Sequence, residues 1–181
     1  LIGHIHKPTD DDRVHYPGSP CPLDINETGR RRFLVYDTSD DSVTPQAMSS
    51  PRLFLSENLV LNPGPDEWDR LRQDVQSLVS GWALTETERG CTELRLKVRG
   101  WCSDVTRVKK IVVAELAGYR FHDPDGPDLS ELKATIDDQR NELMAEVLKR
   151  IDTLPWTPGN LVPEREDLVV EALNVIFGEG N

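Results

Sequence analysis

Apolar positions recur with two different periods along the chain, and the changes of period mark three zones. Up to about residue 60 the apolar residues come in short runs broken by turn formers. Arg32-Phe33-Leu34-Val35-Tyr36 is rich in β-formers and follows Thr28-Gly29, so it predicts a strand. Leu53-Phe54-Leu55 and Leu59-Val60-Leu61 predict two further short strands, and the polar stretch from Thr38 to Ser50 predicts a loop. The apolar pair Leu1-Ile2 at the first residues reads as a chain cut inside a buried strand, and residues 1–60 are expected to be less stable than the rest.

Asn62-Pro63-Gly64-Pro65 breaks the pattern. After it Trp68, Leu71, Val75, Leu78, Val79 and Trp82 repeat at helical spacing, with Asp66 and Glu67 suited to the first turn. Leu94, Leu96 and Val98 then alternate with Glu93, Arg95, Lys97 and Arg99, the mark of a half-buried strand. Ser103 is placed to cap a helix with the apolar face Val105, Val108, Val112 and Leu116, ended by Gly118. Tyr119-Arg120-Phe121 restarts as a strand. Strand, helix and strand in succession predict a compact α/β unit. In the third zone Leu129, Leu132, Ile136, Leu143, Val147, Ile151 and Leu154 predict one long amphipathic helical face stopped by Pro155. A last helix should hold Leu168, Val169, Ala172, Leu173 and Ile176.

Composition adds constraints. The chain has 181 residues, 37% hydrophobic and 29% charged, with a net charge of -11. Nothing in the total charge advertises nucleic-acid binding. The charge is uneven, however. Residues 89–120 hold eight basic and three acidic side chains, net +5, whereas residues 123–181 hold five basic and fourteen acidic, net -9. The predicted α/β unit is therefore locally basic, and phosphate contacts there are compatible with the acidic total. No run approaches the ~18 consecutive apolar residues of a membrane span, and the first residues lack the charged and apolar regions of a signal peptide. Cys21, Cys91 and Cys102 are odd in number and show no C-x-x-C spacing. They read as buried or half-buried thiols, and a cytoplasmic location is expected.

The chemistry concentrates in the first thirty residues: Gly3-His4-Ile5-His6-Lys7-Pro8, Tyr16-Pro17-Gly18-Ser19-Pro20, Pro22-Leu23-Asp24 and Glu27-Thr28-Gly29. Two histidines two apart share a face at an extended strand end, or splay toward two neighbouring ions in a tight loop. Imidazole suits manganese, zinc or iron. A His-x-His pair alone is a weak signal and more often a surface or structural pair than a metal site. In this context the segment resembles the calcineurin-like metallophosphoesterases. More narrowly, it is similar to their DNA-repair exonuclease branch, the nuclease subunit of SbcCD-type double-strand-break complexes. The likeness is dense over residues 1 to about 37 and only architectural beyond.

That resemblance implies a fold class of α+β. Residues 1–62 would be the C-terminal strands of a metallophosphoesterase β-sandwich, 63–126 a small α/β capping domain, and 127–181 terminal helices belonging to the cap or docking a partner. It assigns His4 and His6 as the final ligands of two divalent ions, usually Mn2+, one histidine to each. It also implies DNA as substrate, an SMC-like ATPase as partner, a possible homodimer and no membrane. The family's other ligands, an Asp-x-His, a Gly-Asp, an Asn-His pair and a further His, are not found in this sequence, nor is its proton-donating His. No catalytic residue is therefore assigned, and the chain by itself is expected to be inactive.

Other candidates weigh toward structure. Ser19 is a possible phosphate contact, and Pro17 and Pro20 read as turn formers. His15 and His122 read as structural or surface histidines. Asp10-Asp11-Asp12 reads as a solvated loop, because consecutive carboxylates diverge whereas a metal needs convergent oxygens. Arg95, Lys97 and Arg99 share one strand face and form either a DNA-phosphate contact or an ordinary solvated face. Trp68 and Trp82 read as packing residues, and the last helix docks on its own domain or on a partner coiled coil. Three functions remain in view: the DNA exonuclease, a phosphoesterase of another branch acting on nucleotides or phosphoprotein, and a non-catalytic module binding a partner ATPase.

Overall fold

The short apolar runs and the helical stripes both become regular elements in a mixed α+β fold. A computed structural model describes residues 6–11, 14–135, 138–154 and 165–178. The chain forms two compact units, each assembled from separate segments: residues 1–57, 84–95 and 118–124 in the first, and 58–83, 96–117 and 125–181 in the second.

In the first unit β1 (Thr9–Asp11) and β2 (Val14–Tyr16) form an antiparallel pair with Asp10 opposite His15. Asp10 and Asp11 thus lie on a strand instead of the expected loop. β3 (Arg31–Asp37) pairs antiparallel with β4 (Ser42–Met48), from Arg31 opposite Met48 to Asp37 opposite Ser42. β4 corrects the loop expected over Thr38–Ser50. The connection folds tightly because the Asp37 carboxylate accepts the Ser39 N–H at 2.8 Å and its hydroxyl at 2.6 Å. Pairing with β3 then extends a segment whose own composition is not β-like. The unit's short helix α2 (Glu86–Gly90) opens with a capping box: Thr85 Oγ1 accepts the Glu88 N–H at 3.2 Å, and Glu88 Oε2 accepts the Thr85 N–H at 2.9 Å.

β5 (Leu53–Leu61) is one continuous strand, where two were expected; exposed Ser56 and Asn58 interrupt the apolar run without breaking the pleat. At its start the Leu53 N–H donates to the Cys91 carbonyl at 3.0 Å. At its end the Leu61 carbonyl lies against Gly100. β5 and β6 (Thr92–Cys102) therefore run the same way. β7 (Arg120–Phe121) and β8 (Asp128–Ala134) pair parallel with the first and second halves of β6, on the side away from β5.

In the second unit α1 (Glu67–Trp82) leads from β5 toward β6, and α3 (Val105–Glu115) follows β6. Both crossovers step across the sheet in the same direction, and right-handed connections put both helices on one face. The two helices do pack on each other. Their inward residues Leu71, Val75, Val108 and Val112 are fully buried, as are Leu96 and Val98 of β6. Burial on this scale stabilises by about 1.5–3 kcal/mol per side chain. The α3 cap is Asp104, whose side chain accepts the Arg107 N–H at 3.0 Å, and not the expected Ser103. Ser103 serves elsewhere: its N–H and hydroxyl donate to the buried Glu67 carboxylate at 2.9 and 2.7 Å, which joins the starts of α1 and α3.

The third zone also needs correction. Leu129 and Leu132 stand on strand β8 and not on a helix, because the segment pairs along β6, with Leu132 buried and Leu129 half-buried. Helix α4 (Asp138–Asp152) begins only afterwards, and Leu143 is exposed while its neighbour Met144 is fully buried. Ile136 and Pro155 lie outside the described residues. α4 and α5 (Arg165–Phe177) pack together and enclose Trp101 with Met144, Ile151, Val169, Leu173 and Phe177. The Trp101 and Phe177 ring centroids are 5.5 Å apart.

Candidate functional site

His6 sits where the chain leaves the histidine motif, and three later residues converge on it. All belong to the first unit. Glu27 is brought there by a turn in which the Glu27 N–H donates to the Asp24 carbonyl at 3.0 Å. One carboxylate oxygen of Glu27 lies 2.8 Å from His6 Nδ1, and the other accepts the Ser19 hydroxyl at 2.6 Å. The His6 and Ser19 bonds hold the Glu27 carboxyl far below its ordinary range, at about 2. Ser19 also donates its N–H to the His6 carbonyl at 3.0 Å. Gly18 permits that approach: its φ is +79°, and a Cβ there would lie 2.8 Å from the His6 carbonyl oxygen.

Behind these residues lies Arg31, the first residue of β3 and almost completely buried. Its guanidinium donates to the His6 carbonyl at 3.3 Å and to the Glu27 carbonyl, and lies 3.9 Å from the Glu27 carboxylate. A buried charge is tolerable only when neutralised and hydrogen-bonded, and Glu27 with two carbonyls does this for Arg31. The result is a fixed loop carrying one half-exposed imidazole, whose side chain is 50% accessible.

The same unit holds a second carboxylate–histidine pair. Arg32 grips Asp10 with two bonds, 2.6 and 2.9 Å, and the same carboxylate lies 2.9 Å from His15 Nδ1. Arg32, and then His15, lower the Asp10 carboxyl to about 2. His122 Nδ1 lies 3.2 Å from the Glu93 carboxylate, so each of the two lone histidines is hydrogen-bonded to a carboxylate.

Of the two histidines assigned as metal ligands, His4 lies outside the described residues, as do Gly3 and Ile5. His6 has Nδ1 held by a carboxylate, one of the groups, with backbone carbonyls and waters, that hold the second nitrogen of a ligating imidazole. Among the described residues no group of three or more His, Cys, Asp or Glu side chains is arranged to hold an ion. Of the expected ligands the described residues therefore include His6 alone, with no further donor group arranged around it to hold an ion.

Ser19 turns its hydroxyl toward Glu27. In the first unit Arg95 donates to Asn26 at 3.1 Å. In the second, Lys97 is paired with Glu131, and Arg99 donates to Asp167 at 3.3 Å. Trp82 is buried, whereas Trp68 carries the Arg107 guanidinium over its ring at 4.4 Å. Cys102 is buried, and burial, with the nearby Glu67 charge, pushes its thiol up to about 12; Cys21 and Cys91 are half-buried. No described helix is long and apolar enough to cross a membrane.

In the sequence Glu27 stands out only as part of a motif, nothing marks its bond to His6, and nothing singles out Arg31. The available signal was a carboxylate four residues before an arginine at the mouth of a β-strand, which is common enough to mean little alone. No family model, curated protein or solved structure matches the chain.

Proposed function

We propose that this chain carries the last metal-binding motif of a two-metal phosphoesterase of the calcineurin-like superfamily, in its DNA-repair exonuclease branch. One observation supports the reading most: the His6 imidazole has Nδ1 engaged by Glu27 at 2.8 Å while much of the ring stays accessible. That is the arrangement of a metal-ligating histidine with its supporting carboxylate. His6 would hold one divalent ion, and His4 the other. Two such ions, when bound, neutralise a phosphodiester and supply hydroxide for its hydrolysis.

The chain's own residues orient and hold. Glu27 and Ser19 fix the ring, and Arg31 fixes the backbone of both His6 and Glu27. The rest of the family's ligand pattern is absent from this sequence, so the chain by itself hydrolyses nothing. In the intact enzyme the expected metal is Mn2+, the substrate DNA and the partner an SMC-like ATPase. The carboxylate partners of Lys97 and Arg99 leave those cations less available to DNA. This favours, as the second reading, a phosphoesterase of another branch acting on nucleotides or phosphoprotein.

The test is Mn2+-dependent cleavage of linear duplex DNA by a polypeptide that contains this sequence together with the family's earlier motifs, beside its His4→Ala/His6→Ala variant. Cleavage abolished in the variant supports the proposal. DNA left intact while a generic phosphodiester is cleaved through the same histidines would leave the superfamily standing and sink the branch. Cleavage unaffected by the double substitution would sink both.

A further inference from the structure

We propose that Glu27 is a positioning residue that fixes His6 as its Nδ1–H tautomer, so that Nε2 is left as the bare, outward donor nitrogen. An ionised carboxylate only accepts hydrogen bonds, so the proton between His6 Nδ1 and Glu27 Oε1, 2.8 Å apart, belongs to the imidazole. A neutral imidazole carries one N–H, and placing it on Nδ1 empties Nε2.

Glu27 is itself held on its other side. Its second oxygen accepts the Ser19 hydroxyl at 2.6 Å, and the buried Arg31 guanidinium lies 3.9 Å from that same oxygen. The carboxylate therefore has no freedom to turn away and let His6 change tautomer. The imidazole is anchored at its base too, since the His6 carbonyl accepts from both Ser19 N and Arg31 at 3.0 and 3.3 Å. Three residues, Glu27, Ser19 and Arg31, each with a stated partner, thus specify one nitrogen of one ring.

The metal consequence rests on the function proposed above; the tautomer does not. Both are measurable on the 181-residue chain. Long-range proton–nitrogen NMR on the metal-free protein reads which ring nitrogen is protonated, with the His6 signals assigned by their loss in His6→Gln. The expected result is a bare Nε2 in the parent, reverting toward the Nε2–H form in Glu27→Ala. Glu27→Asp is the second variant. It keeps a carboxylate beside Arg31, and so the fold, but falls short of Nδ1 by about one C–C bond (~1.5 Å); it should revert as well.

Mn2+ alone is then titrated, and broadening of the His6 ring signals is followed. Binding should be 10–100-fold weaker in both variants, the range for losing a supporting carboxylate. A parent His6 protonated on Nε2, or a Glu27→Asp protein that folds and keeps the Nδ1–H form, overturns the proposal. The expected tautomers with no broadening by Mn2+ in any protein would uphold the positioning role and show that the histidine motif without the family's other ligands does not retain the ion.

Discussion

Replacing Glu67 should separate the charge of a buried carboxylate from its shape. Glu67 is the first residue of α1, is 3% exposed, and accepts the Ser103 N–H at 2.9 Å and hydroxyl at 2.7 Å. It also places a negative charge at the positive end of the α1 dipole. Hydrogen bonds to a charged acceptor contribute about 1.5–3 kcal/mol each. Glu67→Ala loses two of them and the dipole interaction. Ser103 lines an open cleft of about 830 Å³, so water would replace part of what is lost. The expected cost is about 2–4 kcal/mol, less than the roughly 3–6 kcal/mol of the two bonds together. Glu67→Gln keeps an acceptor for the Ser103 N–H and a donor for its hydroxyl oxygen, so it should cost only about 1 kcal/mol. The assay is urea denaturation followed by tryptophan fluorescence, since Trp68, Trp82 and Trp101 all belong to the second unit. Glu67→Ala within about 0.5 kcal/mol of the parent, the range of a neutral surface change, would refute the reasoning. So would a Glu67→Gln as costly as Glu67→Ala, because the bonding pattern would then not be what matters.

Three further outcomes follow from local geometry. Gly100 has φ +98°, and a Cβ there would overlap the Leu61 carbonyl and lie 3.2 Å from Leu173; Gly100→Ala should cost more than about 3 kcal/mol, as strain and overpacking add, in the same denaturation assay. Ala83 ends α1 in the left-handed conformation, φ 45°, where an L side chain costs about 1 kcal/mol, so Ala83→Gly should raise stability despite adding a glycine. Glu88, lowered to about 2 first by Arg30 and then by Thr85, has a folded pKa below its ordinary 4.5; its stabilisation is full above pH 4.5 and fades as pH falls toward 2. Because Arg30 is half exposed, Glu88→Gln should cost only about 1 kcal/mol at pH 7, and denaturation curves of parent and variant should converge by about pH 2.

The elements that were legible in the sequence are those whose burial pattern is one-sided. Strand β6 could be read from Leu94, Leu96 and Val98 because that face is covered and the other carries charge. α1 was legible from Leu71, Val75 and Trp82 for the same reason. β4 was hidden: Ser42-Val43-Thr44-Pro45-Gln46 is mostly exposed and is extended by its partner β3, so nothing local announces it. β8 was masked by coincidence, since Leu129 and Leu132 stand three apart as on a helix, yet the segment is claimed by parallel pairing with β6. In α4 the stripe drawn through Leu143 missed its neighbour Met144, because methionine reads as neutral filler until something packs on it. At the candidate site the histidine motif was visible as residue types. The bond from Glu27 to His6 was not, because it spans 21 residues and depends on a turn, a glycine and a buried arginine acting together.

The enclosure of Trp101 by α4 and α5 also sets a timetable. During synthesis Trp101 is made well before Phe177, the far wall of its pocket. At ribosomal speeds the gap lasts roughly 4–15 s. Throughout that interval the indole has no Phe177 to cover it, and the end of β6 waits on Leu173 as well, which packs against Gly100. The nascent chain therefore offers a sticky tryptophan to whatever binds exposed apolar surface, and a message broken before Arg165 would leave that surface permanently open to capture or degradation.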